Sequence, residues 1–174
     1  MKALNDAHEL EYEKMPEVVA KAPGRFHLAG EHSWFYKDKT ISMAMNLYVH
    51  IAVSKRDDGL AKIYFHQLND RKKITISTNK FRKEDKWANA IKSVIYGFTS
   101  GGFGIGGVDI TVYTDIMPSA GFGITTAMKA ATAIALRKLF ELNCSDVQLL
   151  QVLERGNRLF LKKNNFLSDN YAAL

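Results

Sequence analysis

Two periodicities divide the chain, one with strand spacing up to about residue 80 and one mostly helical beyond it. Glu17-Val-Val-Ala-Lys-Ala22 reads as a short strand that Pro23-Gly24 stops, and Arg25-Phe-His-Leu-Ala-Gly30 alternates polar and apolar residues as a second. Ile41 to Lys55 predicts a long strand, with Asp57-Asp58-Gly59 as its turn and Ala61 to Gln67 as the return arm. Ile74 to Thr78 predicts a further strand. From about Lys83 the period changes: Trp87, Ile91, Val94, Ile95 and Phe98 fall on one helical face, and Ser100-Gly101-Gly102 ends the run. Val108 to Tyr113 alternates as a strand, and Thr125 to Leu142 predicts an alanine-rich helix closed by Asn143. Ser145 and Gln148 form a capping box for another helix, running through Leu159. No internal repeat or linker interrupts the pattern, so the expected class is α+β in a single domain.

Composition leaves that picture standing and narrows the chemistry. The 174 residues carry 24 Lys plus Arg against 18 Asp plus Glu, a net charge of +6, with 47% hydrophobic residues. These values exclude a disordered or low-complexity chain. The single cysteine, Cys144, excludes an intrachain disulfide or a multi-cysteine zinc site and is consistent with a cytoplasmic setting. Lys, Arg or Asp interrupts every apolar run before the roughly 20 residues a membrane span needs, and Met1 to Pro16 lacks the apolar centre of a signal peptide. His8, His50 and His66 show no ligand spacing, and Met43, Met45 and Met128 read as core filler. Arg71 to Lys73 and Lys80 to Lys86 read as solvated loop and helix-start faces. Tyr64, Phe65 and His66 beside them keep open a basic RNA-binding domain.

Two stretches carry candidate chemistry. Pro118-Ser-Ala-Gly-Phe-Gly-Ile-Thr-Thr-Ala127 lies between a strand and a helix, with Gly121 and Gly123 freeing the backbone. Unpaired N–H groups at such a junction, together with the helix dipole, favour an anion, and a threonine hydroxyl there could ligate magnesium. The alternative is an ordinary turn with a threonine N-cap. In the second stretch, Ala22-Pro-Gly-Arg-Phe-His-Leu-Ala-Gly-Glu-His32, alternation places Arg25, His27 and Glu31 on related faces near a strand end. An Arg can neutralise a transferring phosphoryl group there, while carboxylate and imidazole hold sugar hydroxyls. The alternative is a surface strand.

Together the stretches reach a family. Ala22-Pro-Gly-Arg25 followed by Gly30-Glu31-His32 resembles the N-terminal signature of galactokinases, which belong to the GHMP small-molecule kinases. Gly121 to Ala127 is similar to a divergent copy of that family's phosphate loop. Phe166-Leu-Ser-Asp169-Asn-Tyr-Ala-Ala173 is similar to the segment carrying its catalytic aspartate. The resemblance implies a ribosomal-protein-like α+β fold, a sheet packed against a layer of helices. It implies ATP and Mg2+ as cofactors and a monosaccharide, galactose or a relative, phosphorylated at its anomeric hydroxyl. ATP would lie over Ala120, Gly121, Phe122, Gly123, Ile124, Thr125 and Thr126. Asp169 and Arg25 would be catalytic, Glu31, His32, Ser33 and Trp34 would line the sugar pocket, and Thr125 and Asn157 would meet the metal.

Three departures qualify the match. Ser33-Trp34-Phe35 stands where galactokinases have Thr-Asp-Tyr, so the usual sugar-contacting aspartate is a tryptophan. Ile124 replaces a serine of the phosphate loop. Asn157 stands where the family has a magnesium-binding glutamate, with Glu154 one turn earlier. They make a catalytically impaired sensor of sugar or nucleotide the second reading. Family members are about twice as long, so the chain is expected to be an N-terminal domain without its C-terminal partner. It would end within a strand and be inactive alone.

Overall fold

The computed structural model describes residues 2–30, 39–163 and 167–174. Its centre is a five-stranded sheet of β1 (Val18–Ala29), β2 (Ile41–Arg56), β3 (Leu60–Phe65), β4 (Asp70–Thr75) and β5 (Gly107–Thr114). The strand order is β1-β2-β5-β3-β4, antiparallel except for the β3–β5 pair. The helices are α1 (Lys2–Tyr12), α2 (Ala88–Ser100), α3 (Ile124–Leu139), α4 (Asp146–Arg155) and α5 (Leu167–Ala173). A π-helical segment, Gly156–Phe160, continues α4. No helix among the described residues is long and apolar enough to cross a membrane.

Register explains the layering. Val18, Val53, Ile110 and Ile63 fall on one row across the sheet, and Ala20, Ile51, Val112 and Phe65 on the next. Because side chains alternate between faces, these rows build one apolar surface, against which α3 and α5 lie, and the buried sides of α2 and α4 join the same core beside α3. The opposite face carries Ser54, Asp109, Thr111 and Lys62 and is covered in part by α1. There His8 lies fully buried, with Nδ1 2.9 Å from Thr111 Oγ1 and Nε2 3.0 Å from Ser54 Oγ. The α+β class and the sheet-on-helix arrangement are as expected.

Several local expectations are corrected. Pro23-Gly24 does not end a strand: β1 runs through it with an irregularity between Pro23 and Arg25. That irregularity exchanges the faces, so that Ala20 and Ala22 point at the helix layer before it, and Arg25 and His27 after it. Arg71 to Lys73 form part of β4 rather than a loop, and Ile74 begins no new strand. Helix α3 stops at Leu139, where Glu141 takes a left-handed conformation (φ 50°), rather than at Asn143. The capping box of Ser145 and Gln148 is present, but the helix it starts widens to π geometry at Gly156. The segment around Asp169 is helical, not a strand. Met128 is core filler, whereas Met43 is half exposed, beside Ile41.

Candidate functional site

The glycine loop and the Arg25 strand are docked onto each other. Arg25 N–H donates to Phe122 O at 2.9 Å, and Arg25 Nη1 donates to Gly121 O at 2.7 Å. A Cβ on Gly24 would stand 2.7 Å from Phe122 O, so the close approach requires glycine there. Gly123 caps α3 in the left-handed region (φ 72°), and no side chain caps this helix. The threonine N-cap is therefore absent. Thr125 and Thr126 stand in the first turn of α3, Thr125 exposed and Thr126 buried.

Asp169, in the first turn of α5, faces the same loop. Arg25 Nε donates to its Oδ1 at 2.9 Å and Arg25 Nη2 to its Oδ2 at 3.2 Å, a two-point pair between residues 144 positions apart. His27 Nε2 lies 3.1 Å from the same Oδ1, and its Nδ1 is 2.8 Å from Ser42 Oγ. The carboxylate is thus fixed in orientation by two strand residues that the β1 irregularity turned toward it.

These groups border a cleft of about 470 Å³ lined by Arg25, Gly121 to Thr126, Lys129 and Asp169. Ala120 lines it too, so every expected nucleotide-binding position borders this one cleft. A second cleft of about 470 Å³ adjoins it through Ile124, Thr125, Leu161 and Lys163, with Phe65, Phe81 and Trp87 on its walls. Glu31, His32, Ser33 and Trp34 lie outside the described residues.

Asn157 is buried on the π segment, and its Oδ1 accepts a 2.6 Å hydrogen bond from Lys129 Nζ. Sequence reasoning missed Lys129, although it left a signal: Lys129 is the one charged residue between Thr125 and Leu136 in an otherwise apolar helix. Burial pushes its ammonium down to about 8, against the opposing pull of Asp169. The RNA-binding reading loses its surface. Phe65 is in the core, and Tyr64 lies under Arg71, whose guanidinium is held by both carboxylate oxygens of Glu11. Cys144 is buried, which pushes its thiol up and away from nucleophilic use.

Comparison with known proteins places the chain in a family. The galactokinase galactose-binding signature matches residues 6–55, and the GHMP kinases N terminal domain matches residues 88–174. A Treponema pallidum protein provisionally named galactokinase is 36% identical over 169 residues, covering 97% of this chain and 43% of its own length. Bacillus subtilis galactokinase is 27% identical over 154 residues, covering 87% of this chain and 40% of its own. The chain therefore spans less than half the length of these curated relatives. Lactococcus lactis galactokinase, solved in complex with galactose, superposes with a TM-score of 0.85 at 19% identity, over 98% of this chain and 45% of that one. A mevalonate kinase superposes at 0.72 over 88% of this chain and 50% of its own, also at 19% identity, so the fold is shared across kinases of different substrates. With one signature on its first strand pair and the other running from α2 to α5 over half of its length, the chain belongs to the GHMP kinase family.

Proposed function

We propose that these 174 residues are the N-terminal part of an ATP-dependent sugar kinase of galactokinase type, which phosphorylates a monosaccharide at its anomeric hydroxyl. The observation that carries this reading is the Arg25–Asp169 pair at the edge of the glycine-loop cleft, because it joins two separately recognised motifs at one point. The nucleotide's triphosphate lies over Gly121 to Thr126, where the N-terminus of α3 favours an anion. Its base enters the adjoining cleft beside Phe81 and Trp87. Asp169 holds the sugar's hydroxyl and accepts its proton, and Arg25 holds that carboxylate in place by two hydrogen bonds while facing the charge of the transferring group. His27 fixes the orientation of Asp169. Glu31, His32, Ser33 and Trp34 are carried as the sugar pocket on the strength of the signature alone. When bound, magnesium would neutralise phosphate charge, and Thr125 offers it a hydroxyl. Asn157 fits it poorly, because its oxygen already accepts from an ammonium.

The test is ADP release over a panel of hexoses, for the 174 residues alone and fused to the C-terminal part of the Treponema relative. The expected result is hexose-dependent turnover by the fused protein only. Arg25→Ala and Asp169→Ala should each lower it by at least about 10³-fold. Failure of the chain to bind any hexose or ATP sinks the reading. Binding without turnover by the fused protein favours the sensor instead, a reading that the Lys129–Asn157 contact supports.

A further inference from the structure

Lys129 sits in the second turn of α3, directly behind the glycine loop, and lines the cleft although its side chain is almost fully buried. An ammonium has three protons to donate. Among the described residues it has one hydrogen-bond acceptor, the neutral Asn157 Oδ1 at 2.6 Å. A cation taken out of water is costly unless it is paired, and no carboxylate among the described residues touches it. Asp169 is the only acid bordering the cleft among the described residues, and it is held by Arg25 and His27.

The same geometry disfavours a metal held by Asn157. Magnesium binds oxygen at about 2.1 Å, so an ion on Asn157 Oδ1 would stand no more than about 4.7 Å from Lys129 Nζ, which is 2.6 Å from that oxygen. Two cations at that separation in a buried setting repel strongly. No group of three His, Cys, Asp or Glu residues able to hold a metal occurs among the described residues.

We propose that Lys129, rather than a divalent ion held by the protein, supplies the fixed positive charge that receives the nucleotide's phosphates in the cleft over Gly121 to Thr126. Asn157 holds that ammonium by one proton and leaves the others for phosphate oxygens. Its amide is the suitable partner, since a carboxylate there would neutralise the charge the phosphates need. This assignment rests on the nucleotide-binding reading above.

The experiment is calorimetric titration of the 174-residue chain with ATP and with inorganic tripolyphosphate, in EDTA and in excess magnesium. The wild-type chain should bind in EDTA within about threefold of its affinity in magnesium. Lys129→Met should lower the affinity in EDTA by about tenfold or more, and the double variant Lys129→Met, Asn157→Glu should bind better with magnesium than without. Wild-type binding that vanishes in EDTA overturns the assignment and leaves the nucleotide reading intact, without depending on any variant's folding. A Lys129→Met chain with wild-type affinity in EDTA also overturns it. Absence of binding in both buffers overturns the assignment and the nucleotide reading together.

Discussion

Lys92 and Lys129 lie on neighbouring helices of the same layer, each about 1% exposed, and are held in opposite ways. Lys92 Nζ reaches Asp85 Oδ2 at 2.5 Å and lies 5.8 Å from the centre of the Phe160 ring. Among the described residues, Lys129 Nζ reaches only the neutral Asn157. One contact of each lysine ends on the π segment, at Phe160 and at Asn157, so one widened turn of helix borders the two ammoniums. The first lysine is neutralised by its own protein and is structural. The second retains its charge and borders the cleft. Burial therefore does not distinguish a structural lysine from a functional one, whereas the charge of its partner does.

The comparison can be broken most severely at its shared support. Gly156 opens the π segment, and a Cβ there would stand 2.3 Å from the backbone oxygen of Ser93, which cannot move without displacing α2. Gly156→Ala should cost about 4 kcal/mol and shift both lysine contacts, as read by urea unfolding. A third buried base, His8, sharpens the contrast by staying neutral. Burial, and secondarily the charge of Lys14, pushes its imidazole down to about 4 from 6.5. Between those values the unfolded chain binds the proton and the folded one does not, so stability falls as the pH drops through that window. The loss is on the order of 3 kcal/mol, and His8→Leu should flatten the slope there.

Lys92→Met strands Asp85, which retains some contact with water, and should cost about 2 kcal/mol in the same unfolding assay, with polyphosphate binding unchanged. The smallest effect belongs to the other lysine. Removing both partners in Lys129→Met, Asn157→Leu leaves neither of them stranded and should alter stability by less than about 1 kcal/mol, while polyphosphate affinity in EDTA falls by about tenfold or more. If instead Lys129→Met alone destabilises as much as Lys92→Met and leaves binding intact, the two lysines are equivalent and the contrast fails.

Most strands and helices were legible because each carries its own period, as in the alternation of Val108 to Tyr113 and the capping box of Ser145 and Gln148. The misread places are those where nonlocal pairing overrides the local signal. Pro23-Gly24 reads as a strand breaker, yet pairing with β2 carries β1 through it. Arg71 to Lys73 look like a solvated loop, yet pairing with β3 makes them a strand whose Arg71 folds onto Tyr64 and Glu11. Gly156 gives no warning of the π geometry it opens, nor of the close approach of Ser93 across the helix layer that leaves no room for a Cβ there. Within the cleft, the motifs announced the glycine loop, Arg25 and Asp169, whereas Lys129 belongs to no motif.

The sequence by itself determined most of the elements, the family and the residues of the two signatures, because these depend on local periodicity and on spacing along the chain. Only the tertiary structure decided which of those residues meet. The irregularity in β1 turns Arg25 and His27 to the helix layer, and α5 brings Asp169 to them from 144 residues away. It also decided that Asn157 holds an ammonium, since a hydrogen bond between α3 and the π segment depends on packing that no local pattern encodes.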